Sequence, residues 1–215
     1  MTALRMAMVE EQIARRGIHD ERVLAAMREV PRHEFVPSAY AAHAYRDRPL
    51  PIGYQQTISQ PYVVALMTEL LHLNTKSKVL EIGTGSGYHA AVLSRVAGEV
   101  YSIEIVTDLG KRARHTLEAL RYDNVQVRIG DGYRGWPEAA PFDAIVLTAA
   151  PAEVPQPLLD QLKVGGRLVV PEGRGAVQDL LVLTKTKERI ERQKIAAVRF
   201  VPMTGEAQKG PGPGP

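Results

Sequence analysis

Lys78-Val-Leu-Glu-Ile-Gly-Thr-Gly-Ser-Gly-Tyr88 is the stretch from which the fold of this chain is read. Val79, Leu80 and Ile82 make an apolar run of strand length, and glycines follow at positions 83, 85 and 87. A strand that breaks into a glycine-rich turn ahead of a helix brings backbone N–H groups close to a ligand. The spacing narrows the ligand. A dinucleotide fingerprint carries its third glycine at the sixth position of the turn, and Tyr88 stands there in this chain.

Outward from this motif the pattern alternates. Downstream come a helix over about 87–97, a strand over 99–105, a helix over about 107–121 and a strand over 125–130. A strand over 142–148, a short helix near 156–163 and a strand over 167–171 follow. Strands alternating with helices predict an α/β fold with a doubly wound, mostly parallel sheet and right-handed crossovers. Residues 179–186 and about 194–202 alternate without a helix between them, which predicts a C-terminal β-hairpin at a sheet edge. Upstream, Gln60-Pro61 opens a helix whose core stripe is read as Val63, Leu66, Leu70 and Leu71. Before it, residues 3–16 carry Leu4, Val9 and Ile13 at roughly helical spacing, and Asp20 is placed to cap a second helix bearing Val23, Leu24, Met27 and Val30. A proline-punctuated connector with a short helix around 38–44 completes this part. We therefore expect a helical N-terminal extension over 1–56, a main domain over 57–204 and a disordered tail over 205–215.

Composition excludes several classes. At 215 residues and 45% hydrophobic content, the chain can bury one sizeable core. No apolar run approaches the ~18–20 residues that span a bilayer. The first residues lack the apolar centre of a signal peptide, so a cytoplasmic location and no membrane partner are expected. The absence of cysteine excludes disulfides, thiolate metal sites and cysteine nucleophiles. A net charge of +3 without long basic runs reads as a mixed solvated surface, so no nucleic-acid partner is expected. The six histidines are scattered, and no metal-ligand spacing is seen.

In an open α/β sheet, ligands sit beyond the carboxyl ends of the strands. Gly83, Thr84 and Gly85 follow the first strand. The second ends at Glu104, whose carboxylate can accept hydrogen bonds from two ribose hydroxyls. The third ends at Asp131-Gly132, placed to reach an adenine edge. Together they read as an adenosine pocket. The Gly-x-Gly-x-Gly turn behind the acidic strand end at Glu81 resembles the first motif of S-adenosylmethionine-dependent methyltransferases, whose cofactor carries an adenosine and no pyrophosphate. The fourth strand ends in Thr148-Ala149-Ala150-Pro151 and not in the Asp/Asn/Ser-Pro-Pro-aromatic motif usual in enzymes that methylate amines. His89, just after the glycine turn, has two readings, pointing into the site or lying on the helix surface, and the helix surface is the one expected.

Three further segments, taken with the glycine turn, sharpen this likeness. Ile52-Gly-Tyr-Gln-Gln-Thr-Ile-Ser-Gln-Pro61, Glu81-Ile-Gly-Thr-Gly-Ser-Gly-Tyr88, Gly130-Asp-Gly-Tyr133 and Phe200-Val-Pro-Met203 resemble protein-L-isoaspartate O-methyltransferases. The resemblance runs from Arg22-Val-Leu-Ala-Ala-Met27 and Val30-Pro-Arg-His-Glu-Phe-Val-Pro37 to about residue 204, and Thr-Ile-Ser-Gln-Pro is its most specific segment. It departs at Gln55, where many family members carry glycine. The resemblance implies a Rossmann-like methyltransferase fold and S-adenosyl-L-methionine as cofactor. It also implies methyl transfer to the free carboxylate of isoaspartyl residues in damaged proteins, by a monomer. It implies Ser59 as the catalytic residue, Thr57, Ile58 and Gln60 on the same wall, and Thr204 near the cofactor. Helix capping is the other reading of Ser59. Two alternatives stand beside this one: a methyltransferase for another carboxylate or a small-molecule hydroxyl, and a non-catalytic module that captures altered peptides.

Overall fold

The computed structural model describes residues 1–208. The chain begins with α1 (Thr2–Ala7), which passes through a wider turn over Met8–Ile13 and a tight turn over Ala14–Arg16 before Gly17 stops it with φ +96°. Met8, Val9 and Ile13 are buried, whereas Leu4, expected on the same stripe, is exposed. Asp20 caps α2 (Glu21–Glu29) by accepting from the Arg22 N–H, and Val23, Leu24 and Met27 are buried. A strand pair follows that the sequence reading missed: β1 (Leu50–Gly53) and β2 (Gln56–Ile58) form an antiparallel ribbon. The boundary expected after residue 56 falls inside β2. Met8, Ile13 and Met27 share one hydrophobic cluster with Val79, Val100 and Val146 of the sheet, so the N-terminal segment has no separate core.

Next come α3 (Pro61–Leu70), β3 (Lys78–Ile82), α4 (Tyr88–Ser94), β4 (Glu99–Glu104), α5 (Thr107–Ala119) and β5 (Val125–Ile129). They are followed by β6 (Phe142–Leu147), α6 (Gln156–Asp160), β7 (Leu162–Glu172), β8 (Gln178–Lys185) and β9 (Ile190–Val198). These last seven strands form one sheet in the order β5-β4-β3-β6-β7-β8-β9. β5 through β7 are parallel, and β8 and β9 add antiparallel at the edge. This is the expected Rossmann-like, mostly parallel sheet with its C-terminal hairpin. The strand order reverses direction between β3 and β6, and that is where a crevice opens at the carboxyl ends of the strands.

α3 bears out the expected stripe only in part: Leu71, just beyond the helix, is buried, and Val63, Leu66 and Leu70 are half-buried against the core. Val64, Ala65, Met67 and Thr68 are the fully buried positions of the helix itself, with Pro61. At the C-terminus, Ala150 N–H donates to the Val201 carbonyl and Met203 N–H donates to the Ala150 carbonyl, both at 2.8 Å. This pins Val201–Met203 beside the end of β6. Residues Gly205–Gln208, expected in a disordered tail, instead form a tight helical turn. The remainder of that expected tail, 209–215, lies outside the described residues.

Candidate active site

The glycine turn is built by backbone geometry that side chains resist. Gly83, Gly85 and Gly87 have φ of +101°, +55° and +88°, the left-handed region in which a Cβ is costly. Space is also short: a Cβ on Gly83 would lie 2.3 Å from Thr148 Oγ1. The Gly83 N–H donates to the Ile103 carbonyl, which turns the chain sharply across the end of β4. The result is a floor of exposed backbone where β3 gives way to α4.

A cavity of about 820 Å³, including its open mouth, lies over this floor. That volume falls within the ~300–1,000 Å³ range of small-molecule sites. Gly83, Thr84 and Gly85 line it, as do Glu104 from β4, Gly132 after β5, Thr148 after β6, Thr57 and Ile58 of β2 with Ser59 just after it, and Val201 to Thr204. Of the site residues singled out from the sequence, the structure thus brings all but Gln60 and Asp131 to this lining, Thr204 included. None of the lining residues is Lys or Arg.

Glu104 is 5% exposed. Its Oε2 accepts from Gly85 N–H at 2.7 Å and its Oε1 from Val106 N–H at 2.9 Å. A carboxylate has about four lone-pair sites, so two remain after these bonds have fixed its orientation. Thr84 contributes differently from the expectation. Its hydroxyl is bonded to Ser102 at 2.6 Å, and the residue is buried.

Asp131 does not line the cavity. Its Oδ1 accepts from Tyr133 N–H at 2.9 Å and its Oδ2 from Glu206 N–H at 2.8 Å. The expected direct approach to an adenine edge is replaced by an anchoring role, because the turn at Gly205–Gln208 folds back over the carboxylate. Gly205 is required there: its φ is +84° and a Cβ would lie 2.3 Å from Asp131 Oδ2. Ser59 is not the helix cap either. Gln60 holds that position, and no side chain caps the first turn.

A second, more apolar groove lies beside the cavity, between α3 and the β9 end. Tyr62, Val63, Leu66, Val198 and Phe200 line it, and Thr57, Ser59, Thr148 and Val201 belong to both spaces. Val63 and Leu66, expected in the core, pack against it on one side and form part of the wall of this groove on the other.

The sequence reading also missed a buried polar cluster under the floor. Glu81 is fully buried in β3, and His89, expected on a helix surface, is 7% exposed and lines the cavity. Burial raises the Glu81 carboxyl to about 8, against a smaller opposing effect of the Ser102 hydrogen bond. Burial lowers the His89 imidazole to about 4. The one available signal was a carboxylate set between Leu80 and Ile82 in an otherwise apolar strand. Among the described residues, no group of three or more His, Asp or Glu side chains gathers where a metal ion would be held.

The sequence profile of the protein-L-isoaspartate(D-aspartate) O-methyltransferase family matches residues 3–208. The chain belongs to this family. An isoaspartate O-methyltransferase of Gloeobacter violaceus is 59% identical over 93% of this chain and 98% of its own length. A protein-L-isoaspartate O-methyltransferase of a Picosynechococcus strain is 57% identical over 95% of this chain and 92% of its own. Among solved structures, a protein-L-isoaspartate O-methyltransferase superimposes with a TM-score of 0.84 at 32% identity, covering 96% of this chain and 67% of that one. A putative protein-L-isoaspartate O-methyltransferase from Plasmodium falciparum, in complex with S-adenosyl-L-homocysteine, gives a TM-score of 0.80 at 26% identity, covering 93% of this chain and 98% of that one. This isoaspartate methyltransferase chain therefore matches its relatives over nearly its whole length.

Proposed function

We infer that the chain is a protein-L-isoaspartate O-methyltransferase in which Ser59 steadies the acceptor carboxylate at the junction of cavity and groove. The observation that carries the reading is the position of Ser59, which lines both spaces.

The cavity fits S-adenosylmethionine on its own features. A narrow backbone floor at Gly83 and Gly85 and a lining carboxylate at Glu104 suit an adenosine. The absence of Lys and Arg from the lining disfavours a phosphate-bearing ligand and suits a cationic one. Glu104 would accept from the ribose hydroxyls with its free lone pairs. Asp131 would act through the backbone of Gly132 and Tyr133, which it anchors. Thr57, Ile58 and Thr204 would close the other wall.

When bound, S-adenosylmethionine supplies an electrophilic sulfonium methyl group. The chain's task is then positioning. An isoaspartyl carboxylate, with a reference pKa of about 3.3–3.9, is already ionised at neutral pH and needs no general base. His89 is neutral, and its Nε2 is hydrogen-bonded to Thr68 at 3.0 Å, so it is not poised to act as one. The Ser59 hydroxyl donates to the acceptor oxygen and fixes its approach, and holding reactants at roughly 3–3.5 Å supplies much of the rate. Val63, Leu66 and Phe200 place apolar surface beside a reaction in which opposite charges neutralise each other. The groove is open at its outer side, as a flexible peptide segment requires.

Radiolabelled methyl transfer onto paired peptides that differ only in isoaspartyl against aspartyl linkage tests the function. Transfer to the isoaspartyl peptide alone is expected. Equal labelling of both, or of neither, would sink the assignment. In the same reading the chain works as a monomer in the cytoplasm, without nucleic-acid or membrane partners; among the described residues no helix is long and apolar enough to cross a membrane. Sedimentation showing a one-chain species at working concentration checks the oligomeric part.

A further inference from the structure

The buried cluster beneath the cavity floor has a hydrogen-bond direction that can be worked out. Thr68 Oγ1 donates its single proton to the Val64 carbonyl at 2.8 Å. His89 Nε2, 3.0 Å from the same oxygen, must then be the donor in that contact. The neutral ring consequently presents a bare lone pair at Nδ1, and Nδ1 faces Glu81 Oε1 at 4.0 Å. On the other side, Ser102 donates to Glu81 Oε2, and Thr84 donates to Ser102. Glu81 Oε1 is left as a fully buried oxygen without a partner.

A fully buried carboxylate oxygen without a partner is unfavourable. A proton on Oε1 removes that charge, while the imidazole Nδ1 at 4.0 Å lies beyond hydrogen-bond reach and keeps its lone pair. The other charged group near Glu81 is Glu104, on the neighbouring strand β4, and its negative charge favours the same protonation. β6, on the opposite side, pairs with Val146 at this level and contributes no titratable group. α3 contributes only Thr68 to the cluster.

We propose that the buried Glu81 carboxyl, with no cationic partner beside it, acts as a charge sensor for the ligand above it. With no cation in the cavity the carboxyl holds its proton and is neutral. When a cationic sulfonium occupies the cavity, the Glu81 carboxyl releases the proton to solvent and the carboxylate stabilises the bound charge. The neutral thioether product removes that stabilisation, and the carboxyl takes its proton back. The arrangement thus discriminates between methyl donor and demethylated product by charge. This inference rests on the reading of the cavity as the S-adenosylmethionine site.

The test is calorimetric titration with S-adenosylmethionine and S-adenosylhomocysteine, each in two buffers of different ionisation enthalpy between pH 6.5 and 7.5. Expected is close to one proton more released with S-adenosylmethionine than with S-adenosylhomocysteine. The affinity for S-adenosylmethionine should rise by up to about tenfold per pH unit relative to that for S-adenosylhomocysteine. The difference should vanish in Glu81→Gln. Binding of both ligands with equal proton release overturns the proposal alone, whereas binding of neither overturns the reading of the cavity as well. A second measurement needs no variant: long-range ¹H–¹⁵N NMR of the ligand-free protein at pH 7 should show His89 neutral with its proton on Nε2. An imidazolium, or a ring protonated on Nδ1, would overturn it.

Discussion

Ser59 is half-buried between two spaces of different character, and Glu104 is almost fully buried at the edge of one of them. Their expected phenotypes differ accordingly. Ser59→Ala removes a hydroxyl that caps nothing in the first turn of α3, so the fold should be unaffected. Turnover on an isoaspartyl peptide should fall about 10- to 100-fold, roughly 1.4–2.7 kcal/mol of barrier, while the Kd for S-adenosylmethionine stays within a factor of two. Loss of cofactor binding with unchanged chemistry would contradict the role. Glu104→Gln keeps the shape but exchanges one acceptor oxygen for an NH2 group, which then faces a backbone N–H. Charge-assisted hydrogen bonds contribute about 1.5–3 kcal/mol each, so S-adenosylmethionine binding should weaken at least tenfold in equilibrium dialysis. Equal affinity would mean that the ribose lies elsewhere.

At the scale of elements, the β1–β2 ribbon shows how a local departure from the family pattern is accommodated. Gly53 pairs with Gln56, leaving Tyr54 and Gln55 as a two-residue loop. Both have positive φ, 54° and 58°, as a type I′ hairpin turn demands. Asn-Gly is the favoured pair for that turn, which explains physically why many relatives carry glycine where this chain has Gln55. The loop is held from outside: Tyr54 donates to Asp108 at 2.7 Å and Arg112 donates to the Ile52 carbonyl, tying the ribbon to α5. Left-handed conformation costs a non-glycine residue about 1–2 kcal/mol, and glycine gives back roughly 0.5–1 of that as lost chain entropy. Gln55→Gly should therefore raise thermal stability by roughly 1–4 °C without altering turnover. A lower melting temperature by calorimetry would show that the Gln55 side chain does more than tolerate its backbone.

For the molecule as a whole, the Glu81–His89 cluster sets a pH dependence of stability. The folded carboxyl sits near 8 against an ordinary 4.5, and the folded imidazole near 4 against an ordinary 6.5. Between about pH 4.5 and 6.5, the folded state holds a proton on Glu81 and the unfolded state holds one on the histidine, so the two effects cancel. Above 6.5 the unfolded chain has released both while the folded chain keeps one. Stability should then fall as pH rises from 6.5 to 8, by about 2 kcal/mol at one proton per molecule. Urea unfolding of the ligand-free protein across this range measures it. In Glu81→Gln the decline should disappear, and stability should instead rise from pH 4 to 6.5 as His89 alone dictates. A wild-type profile that is flat above pH 6.5 would refute a protonated Glu81 in the folded protein.

What the sequence by itself determined is what short-range periodicity encodes: alternating strands and helices, the glycine turn at 83–87, the acid at the end of β4 and the edge hairpin. Glu104 was legible because a strand end and a following helix fix where its carboxylate lies. The Thr-Ile-Ser-Gln-Pro segment was legible through family likeness, not through spacing. Only the tertiary structure decided the facing of Asp131, of His89 and of α3. Asp131 is claimed by a turn 75 positions downstream, where Glu206 donates to it. His89 is drawn inward by Thr68 and Glu81, which lie on other elements. The half-apolar stripe of α3 satisfies a core and a groove equally well in one dimension. Each of these depends on contacts between residues far apart in the chain, and helical or strand periodicity carries no information about which distant group will be the partner.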